Sequence, residues 1–297
     1  MKRQIPLVAL IATLLFTACQ DMKKAPKTEP EDTDTVIVDA DQYLLMETSE
    51  GNLTLKLYRE TPLHRHNFVK LARKGYYDNQ QFFRIQNNFT VQAGDPKSKG
   101  ATRETPLGEN DLDYTIPEEI QPERFIHKRG ALAMASYYKM EKSSGGHFYF
   151  VTGFKYNDTK LFNAEDKYNK ELRKEVFDSI THTSPYAEKL KEYAKDQKRY
   201  MPKIRELKKQ ISADTDKLMA TRKQFHYTEE QKELYKTTGG AADLDGYYTV
   251  FGEIVEGLDV LTKIEKRAVD SRLRPIEPVI IKRVREIKTD QILKVEG

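Results

Sequence analysis

Short apolar runs separated by turn residues recur along most of this chain. Over residues 53–58, Leu53, Leu55 and Leu57 alternate with Thr, Lys and Tyr, which is the pattern of a strand with one buried face. The other candidate strands cover residues 43–48, 81–84, 89–92, 131–136, 147–152, 249–254 and 279–284. Short strands at this density predict a closed antiparallel barrel or a sandwich.

Two helices are predicted beside these strands. Thr61 and Pro62 form a helix start, with Thr as the N-cap and Pro at the first helical position. A second helix is predicted near residues 259–265, where Val260, Leu261 and Ile264 repeat at helical spacing. The fold class expected from these patterns is mainly β with helices.

The region between residues 154 and 243 differs in character from the rest of the chain. Its roughly 90 residues are rich in Lys, Glu and Tyr and far exceed an ordinary connection between elements. Apolar and Tyr side chains recur in steps of four and three over residues 186–211, which predicts a coiled-coil-like seam. Pro202 lies within that seam and predicts a kink or break. We therefore predict an α-helical hairpin insert over residues 154–237, which either projects from the strands or packs its seam against them.

The N-terminus resembles a bacterial lipoprotein signal. Lys2 and Arg3 precede an apolar stretch that is shorter than the roughly 20 residues a spanning helix needs. It ends at Cys19, the only cysteine, in a run that resembles a lipobox, although Phe16 stands where Leu is usual. A free thiol at Cys19 is the alternative. We expect a signal peptide over residues 1–18, lipidation of Cys19, a flexible tether over residues 19–40, and a periplasmic or outer-membrane location in the cell envelope.

Charge and histidine placement argue against two classes of function. The chain carries 50 Lys and Arg against 46 Asp and Glu, with no basic stripe beside stacking aromatics, which disfavours nucleic-acid binding. His64 and His66 are two residues apart and would not share a helical face, and the other histidines are scattered. We therefore expect neither a metal site nor a cofactor.

The most informative motif covers residues 82–96. It holds Arg84, then Phe89 five residues later, then the sequence Gln-x-Gly-Asp-Pro that begins at Gln92. Further pieces follow in order over residues 130–135, 144–150, 244–246 and 249–252. Together they resemble the cyclophilin-type peptidyl-prolyl cis/trans isomerases. The resemblance implies a closed eight-stranded antiparallel β-barrel capped by two helices, built from residues 41–153 and 238–288, with residues 289–297 as a C-terminal tail.

The reaction of that family needs no nucleophile, metal or general base. The amide bond before proline rotates slowly because its resonance must be broken, at a barrier of about 20 kcal/mol. The resemblance implies that Arg84 contacts the prolyl carbonyl and nitrogen in the twisted state, and that Gln92 orients Arg84 and the substrate backbone. Arg84 and Gln92 are therefore the predicted catalytic residues.

The resemblance also assigns a substrate groove. Its expected residues are Phe89, Thr90, Ala135, Ser136, His147, Tyr149, Leu244 and Tyr248. Thr90, His147, Tyr149 and Tyr248 stand where Met, Gln, Phe and His are usual, and Asp243 stands where many eukaryotic members have Trp. We expect these changes to affect ligand preference and turnover more than the ability to bind a proline ring.

The expected function is an isomerase that assists the folding of exported envelope proteins. Its partners would be unfolded or extended polypeptides that contain proline, together with the membrane reached through the lipid at Cys19. The helical insert is a candidate surface for binding client proteins. The alternative is a peptide-binding or scaffold module that has lost catalysis, and the presence of Arg84, Phe89 and Gln92 favours the enzyme.

Overall fold

The computed structural model describes residues 27–28, 40–136, 142–183, 185–222 and 224–288. Its strands are β1 (Lys27–Thr28), β2 (Gln42–Thr48), β3 (Gly51–Leu57), β4 (Gln80–Gln81), β5 (Arg84–Gln86), β6 (Thr90–Ala93), β7 (Tyr114–Pro117), β8 (Ala131–Ser136), β9 (Lys142–Val151), β10 (Val250–Glu256) and β11 (Ile280–Ile287). Its α-helices are α1 (Pro62–Arg73), α2 (Asp158–Thr183), α3 (Tyr186–Ala194), α4 (Gln197–Thr221), α5 (Glu229–Thr237) and α6 (Leu258–Glu265). The expected class, mainly β with helices, is confirmed.

The strands form one curled sheet in the order β1-β7-β9-β8-β10-β3-β2-β11-β4, and the β5–β6 hairpin joins it where β6 pairs with β9. The pairs are antiparallel except for β1 with β7. The sheet is a half-barrel, so the prediction of a closed eight-stranded barrel is wrong. The chain changes partner between β4 and β5: the Phe82 amide donates to the Val279 carbonyl at 2.9 Å, but the Phe83 amide donates to the Gln92 carbonyl at 3.0 Å. This change of partner interrupts the ladder.

The main core lies on the concave side of the sheet. The alternating leucines of β3 are fully buried there, as the sequence pattern predicted. From α1, Phe68 stacks on Tyr77 at 4.7 Å and meets the edge of Phe148 at 5.3 Å between ring centroids. Leu261 and Ile264 of α6 enter the same core. Each fully buried side chain of this size contributes about 1.5–3 kcal/mol, so the two helices are held by burial of their apolar faces.

Helices α2 to α5 occupy the chain between β9 and β10. The helices α2 and α4 run antiparallel, because Arg173 of α2 bonds Ser212 and Asp216 of α4 while Asn169 bonds the backbone of Phe225. The buried face of α4 has a four-residue period and consists of Leu207, Ile211, Thr215 and Met219.

The seam predicted over residues 186–211 is divided between two helices, and the division does not lie at Pro202. The helix α3 ends at Ala194, and Asp196 caps α4 by accepting from the Arg199 amide at 3.1 Å. Pro202 lies inside α4, so the predicted break there is wrong. Pro202 is the sixth residue of α4 and the helix continues across it, while the cap at Asp196 marks where the helix begins.

The two ends of this helical region meet at the sheet. Phe154 and Gly240 exchange both of their backbone hydrogen bonds, at 3.0 and 3.1 Å. A second apolar cluster packs the helices against the strand-bearing part of the chain and contains Ile126, Tyr156, Leu161, Ala164, Phe225, Tyr227, Tyr235 and Ala242. The base of the helical region is therefore an ordered part of the fold.

Several predictions from the N-terminus and C-terminus fall where the structure gives no description. The signal peptide over residues 1–18, Cys19 and the tail over residues 289–297 lie outside the described residues. Of the predicted tether, residues 27–28 form β1. Within the described ranges, no helix has the length and apolar character needed to cross a membrane.

Candidate active site

A row of directly paired residues crosses five strands on the face of the sheet opposite the main core. The row runs from Arg84 on β5 through Gln92 on β6, Tyr149 on β9 and Ala133 on β8 to Val250 on β10. Directly opposed residues in antiparallel strands point to the same face. The two predicted catalytic residues and the predicted groove residue Tyr149 therefore share one surface.

The neighbouring row shows why this surface is separate from the core. It consists of Ile85, Val91, Phe150 and Leu132, and each of these belongs to the buried main cluster. Successive side chains along a strand alternate between faces. The apolar rows fill the concave side, so the Arg84 row must face outward.

A third apolar cluster lies on that outer face. Its buried members are Tyr58, Ala131, Ala133, Tyr149, Val151, Ala241 and Val250, and its half-buried members are Phe89, Phe125, Ala135, Leu244 and Tyr248. Tyr248 meets the ring of Tyr149 edge-on, at 6.0 Å between centroids. The structure therefore brings five of the predicted groove residues together: Phe89, Ala135, Tyr149, Leu244 and Tyr248.

Arg84 is half-buried and is held by a residue that the sequence reasoning missed. Its Nη2 donates to Oε1 of Gln86 at 2.9 Å. Gln92, which was expected to hold Arg84, instead donates from Nε2 to the hydroxyl of buried Thr90 at 3.3 Å. Gln86 is two residues after Arg84 on the same strand, and that spacing places both on one face. This two-residue spacing is the feature of the sequence that could have identified Gln86 as a partner of Arg84.

The remaining predicted groove residues are held by nearby backbone. The Ser136 hydroxyl donates to the Lys142 carbonyl at 2.9 Å. The buried ring of His147 places Nε2 2.6 Å from the Asn110 carbonyl. The ring of Phe83 lies 5.3 Å from the His147 ring. His147 therefore contacts the loop that carries Asn110, and it is not a member of the apolar cluster around Tyr149.

A buried polar network lies directly behind Tyr149. The Tyr149 hydroxyl is 3.0 Å from Nε2 of His127, and Nδ1 of His127 is 2.8 Å from Oδ1 of Asp245. The hydroxyls of Tyr227 and Tyr235 donate to Oδ2 of Asp245 at 2.7 and 2.5 Å. The sequence reasoning gave no role to His127, and it used Asp245 only as part of the 244–246 motif.

Burial is the main influence on the tyrosines of this network. Desolvation raises the pKa of Tyr149 and of Tyr235 well above the usual value, and the nearby Asp245 carboxylate raises both further. The same two causes raise the pKa of Tyr227. These hydroxyls keep their protons at neutral pH and act as hydrogen-bond donors.

A separate cleft of about 700 Å³ lies between the sheet and α5. The rings of Tyr58 and Phe125 stack on its wall at 4.3 Å between centroids. Its charged lining is largely paired, with Lys56 3.2 Å from Asp41 and another contact between Lys128 and Glu253 at 2.6 Å. None of the predicted site residues lines this cleft. In the part of the chain that the structure describes, no group of three or more His, Cys, Asp or Glu side chains could hold a metal ion.

Comparison with models of protein families identifies the family to which this chain belongs. The family model for the cyclophilin type peptidyl-prolyl cis-trans isomerases matches residues 43–208 and 181–286. The chain belongs to this family. The two matched segments overlap over residues 181–208, within the helical region between β9 and β10. As a family member the chain is a peptidyl-prolyl cis-trans isomerase, and proteins of this kind act on peptides that contain proline.

Individual relatives of this cyclophilin span bacteria and eukaryotes. A Staphylococcus saprophyticus protein assigned as a peptidyl-prolyl cis-trans isomerase is 25% identical over 239 residues, which cover 80% of this chain and 88% of that protein. The peptidyl-prolyl cis-trans isomerase-like 1 of Gibberella zeae is 37% identical over 110 residues, covering 37% of this chain and 63% of that protein. A Cryptosporidium parvum cyclophilin crystallised in the presence of the dipeptide Ala-Pro aligns at 20% identity with a TM-score of 0.48, covering 84% of this chain and 100% of that one.

Proposed function

We propose that Arg84 supplies the contact that favours the twisted prolyl amide, and that the outer cluster around Tyr149 binds the proline ring. The observation that carries this proposal is the row in which Arg84, Gln92 and Tyr149 are successive cross-strand partners. Neighbouring strands are about 4.8 Å apart, so Arg84 and Tyr149 originate about 10 Å from one another. A proline seated beside Tyr149 then lies within reach of the Arg84 side chain.

The chemistry follows from what rotation does to the amide. When resonance is lost, the prolyl nitrogen becomes pyramidal and gains a lone pair that accepts a hydrogen bond. A guanidinium has five N–H donors in a fixed plane. The bond to Gln86 occupies Nη2 and orients that plane, which leaves the other donors for the substrate. Such a contact is stronger in the transition state than in the ground state, so it accelerates rotation.

The groove residues have separate roles in this proposal. Phe89, Tyr149 and Leu244 surround the proline ring, and Thr90, which accepts a hydrogen bond from Gln92 on the same strand, provides a small, buried polar floor. Gln92, with Ala135 and Ser136 further along, lies beside the path of the substrate backbone. The test is isomerisation of a proline tetrapeptide by the purified protein and by Arg84→Ala. Turnover that depends on Arg84 supports the mechanism, and turnover that does not contradicts it.

We further propose that the isomerase is a lipoprotein of the cell envelope and assists the folding of exported proteins. The support is the order of features at the N-terminus: Lys2 and Arg3, a short apolar stretch, and Cys19 in a lipobox-like run. A cysteine-linked anchor with several acyl chains would hold the enzyme stably at a membrane. Its substrates would then be newly exported chains.

The helices between β9 and β10 are proposed to hold such chains near the groove. Large apolar side chains are exposed on them, with Phe162 64% exposed and Met201 and Leu218 each 41% exposed. The helical region begins just after β9, which carries Tyr149, and returns just before Leu244. A chain held on these helices would meet the groove at a raised effective concentration.

A further inference from the structure

Asp245 is the centre of the buried network behind the proposed proline pocket, and all of its acceptor positions are used. Oδ1 accepts from the backbone amide of His127 at 2.7 Å and lies 2.8 Å from Nδ1 of the same residue. Oδ2 accepts from Tyr227 and Tyr235. A carboxylate offers about four lone-pair sites, so each site here faces a donor. The side chain of Asp245 is therefore fixed from two directions.

The two halves of this network come from different parts of the chain. His127 precedes β8 in the strand-bearing part of the fold. Tyr227 and Tyr235 belong to the helical region, where Tyr235 is in α5 and is fully buried. Asp245 forms hydrogen bonds with residues of both halves, and it directly follows the pocket residue Leu244 in the sequence. The position of Asp245 thus depends on how the base of the helical region packs.

His127 carries this constraint to the pocket. Because its Nδ1 faces the Asp245 carboxylate, Nδ1 must bear a proton. In the neutral ring Nε2 is then an acceptor, and the Tyr149 hydroxyl donates to it at 3.0 Å. The two rings are also nearly parallel, 13° apart. The hydroxyl of Tyr149 is held at one point, and this fixes the orientation of its ring in the groove.

We propose that Tyr227 and Tyr235 position the Tyr149 ring through Asp245 and His127, so that the helical region sets the affinity of the pocket for proline. The inference rests on the proposed function, in which Tyr149 forms the wall against the proline ring. It makes Tyr227, Tyr235, Asp245 and His127 positioning residues, since they act on the proline ring through Tyr149, whose hydroxyl lies 3.0 Å from Nε2 of His127. A proline ring binds more weakly when the Tyr149 ring beside it is free to rotate, because the Tyr149 ring then loses rotational freedom on binding.

The first test removes one hydroxyl from the helical side of the network. Tyr235→Phe should raise KM for a proline tetrapeptide about threefold or more with little change in kcat, because the lost contribution is to binding in ground and transition states alike. The matched control is Tyr156→Phe. Tyr156 lies in the same apolar cluster, but its hydroxyl is 3.4 Å from Asp243 and does not contact Asp245. KM should be unchanged in the control.

A double-mutant cycle separates positioning from general loss of stability. In a Tyr149→Phe background the network no longer reaches the pocket ring, so adding Tyr235→Phe should not raise KM further. An equal rise in both backgrounds, or no rise in either, would overturn the proposal. If Tyr235→Phe does not fold, Tyr227→Phe makes the same test, because its hydroxyl donates to the same oxygen.

Nitrogen NMR of the His127 ring in the whole protein gives an independent reading. We expect a proton on Nδ1, and an Nε2 resonance that shifts in both Tyr149→Phe and Tyr235→Phe. An Nε2 resonance that does not shift in Tyr235→Phe would contradict the proposed link between Tyr235 and Tyr149 through His127. Binding of the tetrapeptide can be followed by titration even if turnover is absent. Absence of Arg84-dependent turnover contradicts the proposed function, whereas unchanged peptide affinity in Tyr235→Phe contradicts only this inference.

Discussion

Arg84 and Gln92 are direct partners across the β5–β6 hairpin, yet each side chain bonds a residue of its own strand. Arg84 donates to Gln86, and Gln92 donates to Thr90. Both acceptors are two residues away and therefore on the same face. The contact that holds the guanidinium in this arrangement comes from Gln86 and not from Gln92.

Gln86→Leu is expected to lower kcat/KM about threefold to tenfold, mainly through kcat. The change removes one hydrogen bond of about 1–2 kcal/mol that orients the Arg84 donors. Gln86→Glu keeps an acceptor at this position and should restore most of the rate. Tetrapeptide kinetics measure the effect, with thermal unfolding to monitor the fold. A Gln86→Leu enzyme with unchanged kcat would show that Arg84 needs no such support.

Arg84→Ala is expected to lower kcat/KM about 100-fold or more, which corresponds to roughly 3 kcal/mol of transition-state stabilisation. The fold should be retained, because Arg84 is half-buried on the outer face and does not belong to the main core. Arg84→Lys keeps the charge but lacks the planar set of donors, so it should recover only part of the rate. Near-normal turnover by Arg84→Ala would contradict the assigned mechanism.

Local pattern in the sequence predicted part of the main core, through the alternating leucines of β3. The outer cluster was found through the family resemblance of the ordered motifs around Phe89, Tyr149 and Leu244. The contact between His127 and Asp245 joins residues 118 positions apart, and neither residue carries a local pattern that indicates its partner. The change of backbone partner from Val279 at Phe82 to Gln92 at Phe83 likewise joins segments that are far apart in the chain. These features are set by tertiary packing, which spacing along the chain does not record.

Asp243→Trp is expected to tighten the binding of cyclosporin-type ligands by about tenfold, or roughly 1.4 kcal/mol. Asp243 is exposed beside Leu244, and the family resemblance assigns it to the position where many eukaryotic members have Trp. An indole there adds apolar area at the edge of the groove. The chain has no Trp, so fluorescence of the introduced residue reports binding directly. Calorimetry measures the unmodified protein, and tight binding by it would show that Asp243 is no obstacle. Asp243→Asn controls for loss of charge alone.

Cys19→Ser is expected to leave the protein unlipidated and its signal peptide uncleaved by the lipoprotein pathway. The reason is chemical, because the acyl chains require the cysteine thiol. Mass spectrometry of the mature N-terminus and detergent partition of the two forms provide the measurement. An unmodified Cys19 in the mature wild-type protein would contradict the lipoprotein assignment.

We expect that the helical region can be shortened without disturbing the network at its base. Asn169 bonds both the carbonyl and the amide of Phe225, at 2.9 and 3.0 Å, so α2 and the segment after α4 are adjacent at that level. A short Gly/Ser linker can therefore replace residues 173–222. This deletion removes the far end of α2 together with α3 and α4, and it retains Tyr227 and Tyr235.

This shortened enzyme should isomerise small proline peptides at nearly the wild-type rate. It should catalyse proline-limited refolding of a whole protein at least threefold more slowly, because the effective concentration provided by a client-holding surface is lost. A matched variant keeps the helices and replaces Phe162, Met201 and Leu218 by Ser, and it should show the same selective loss. Equal losses on peptide and protein substrates would instead show that the helices only support the pocket. If refolding is unaffected in both variants, these helices do not hold clients, because the apolar side chains that would bind an unfolded chain have then been removed without consequence.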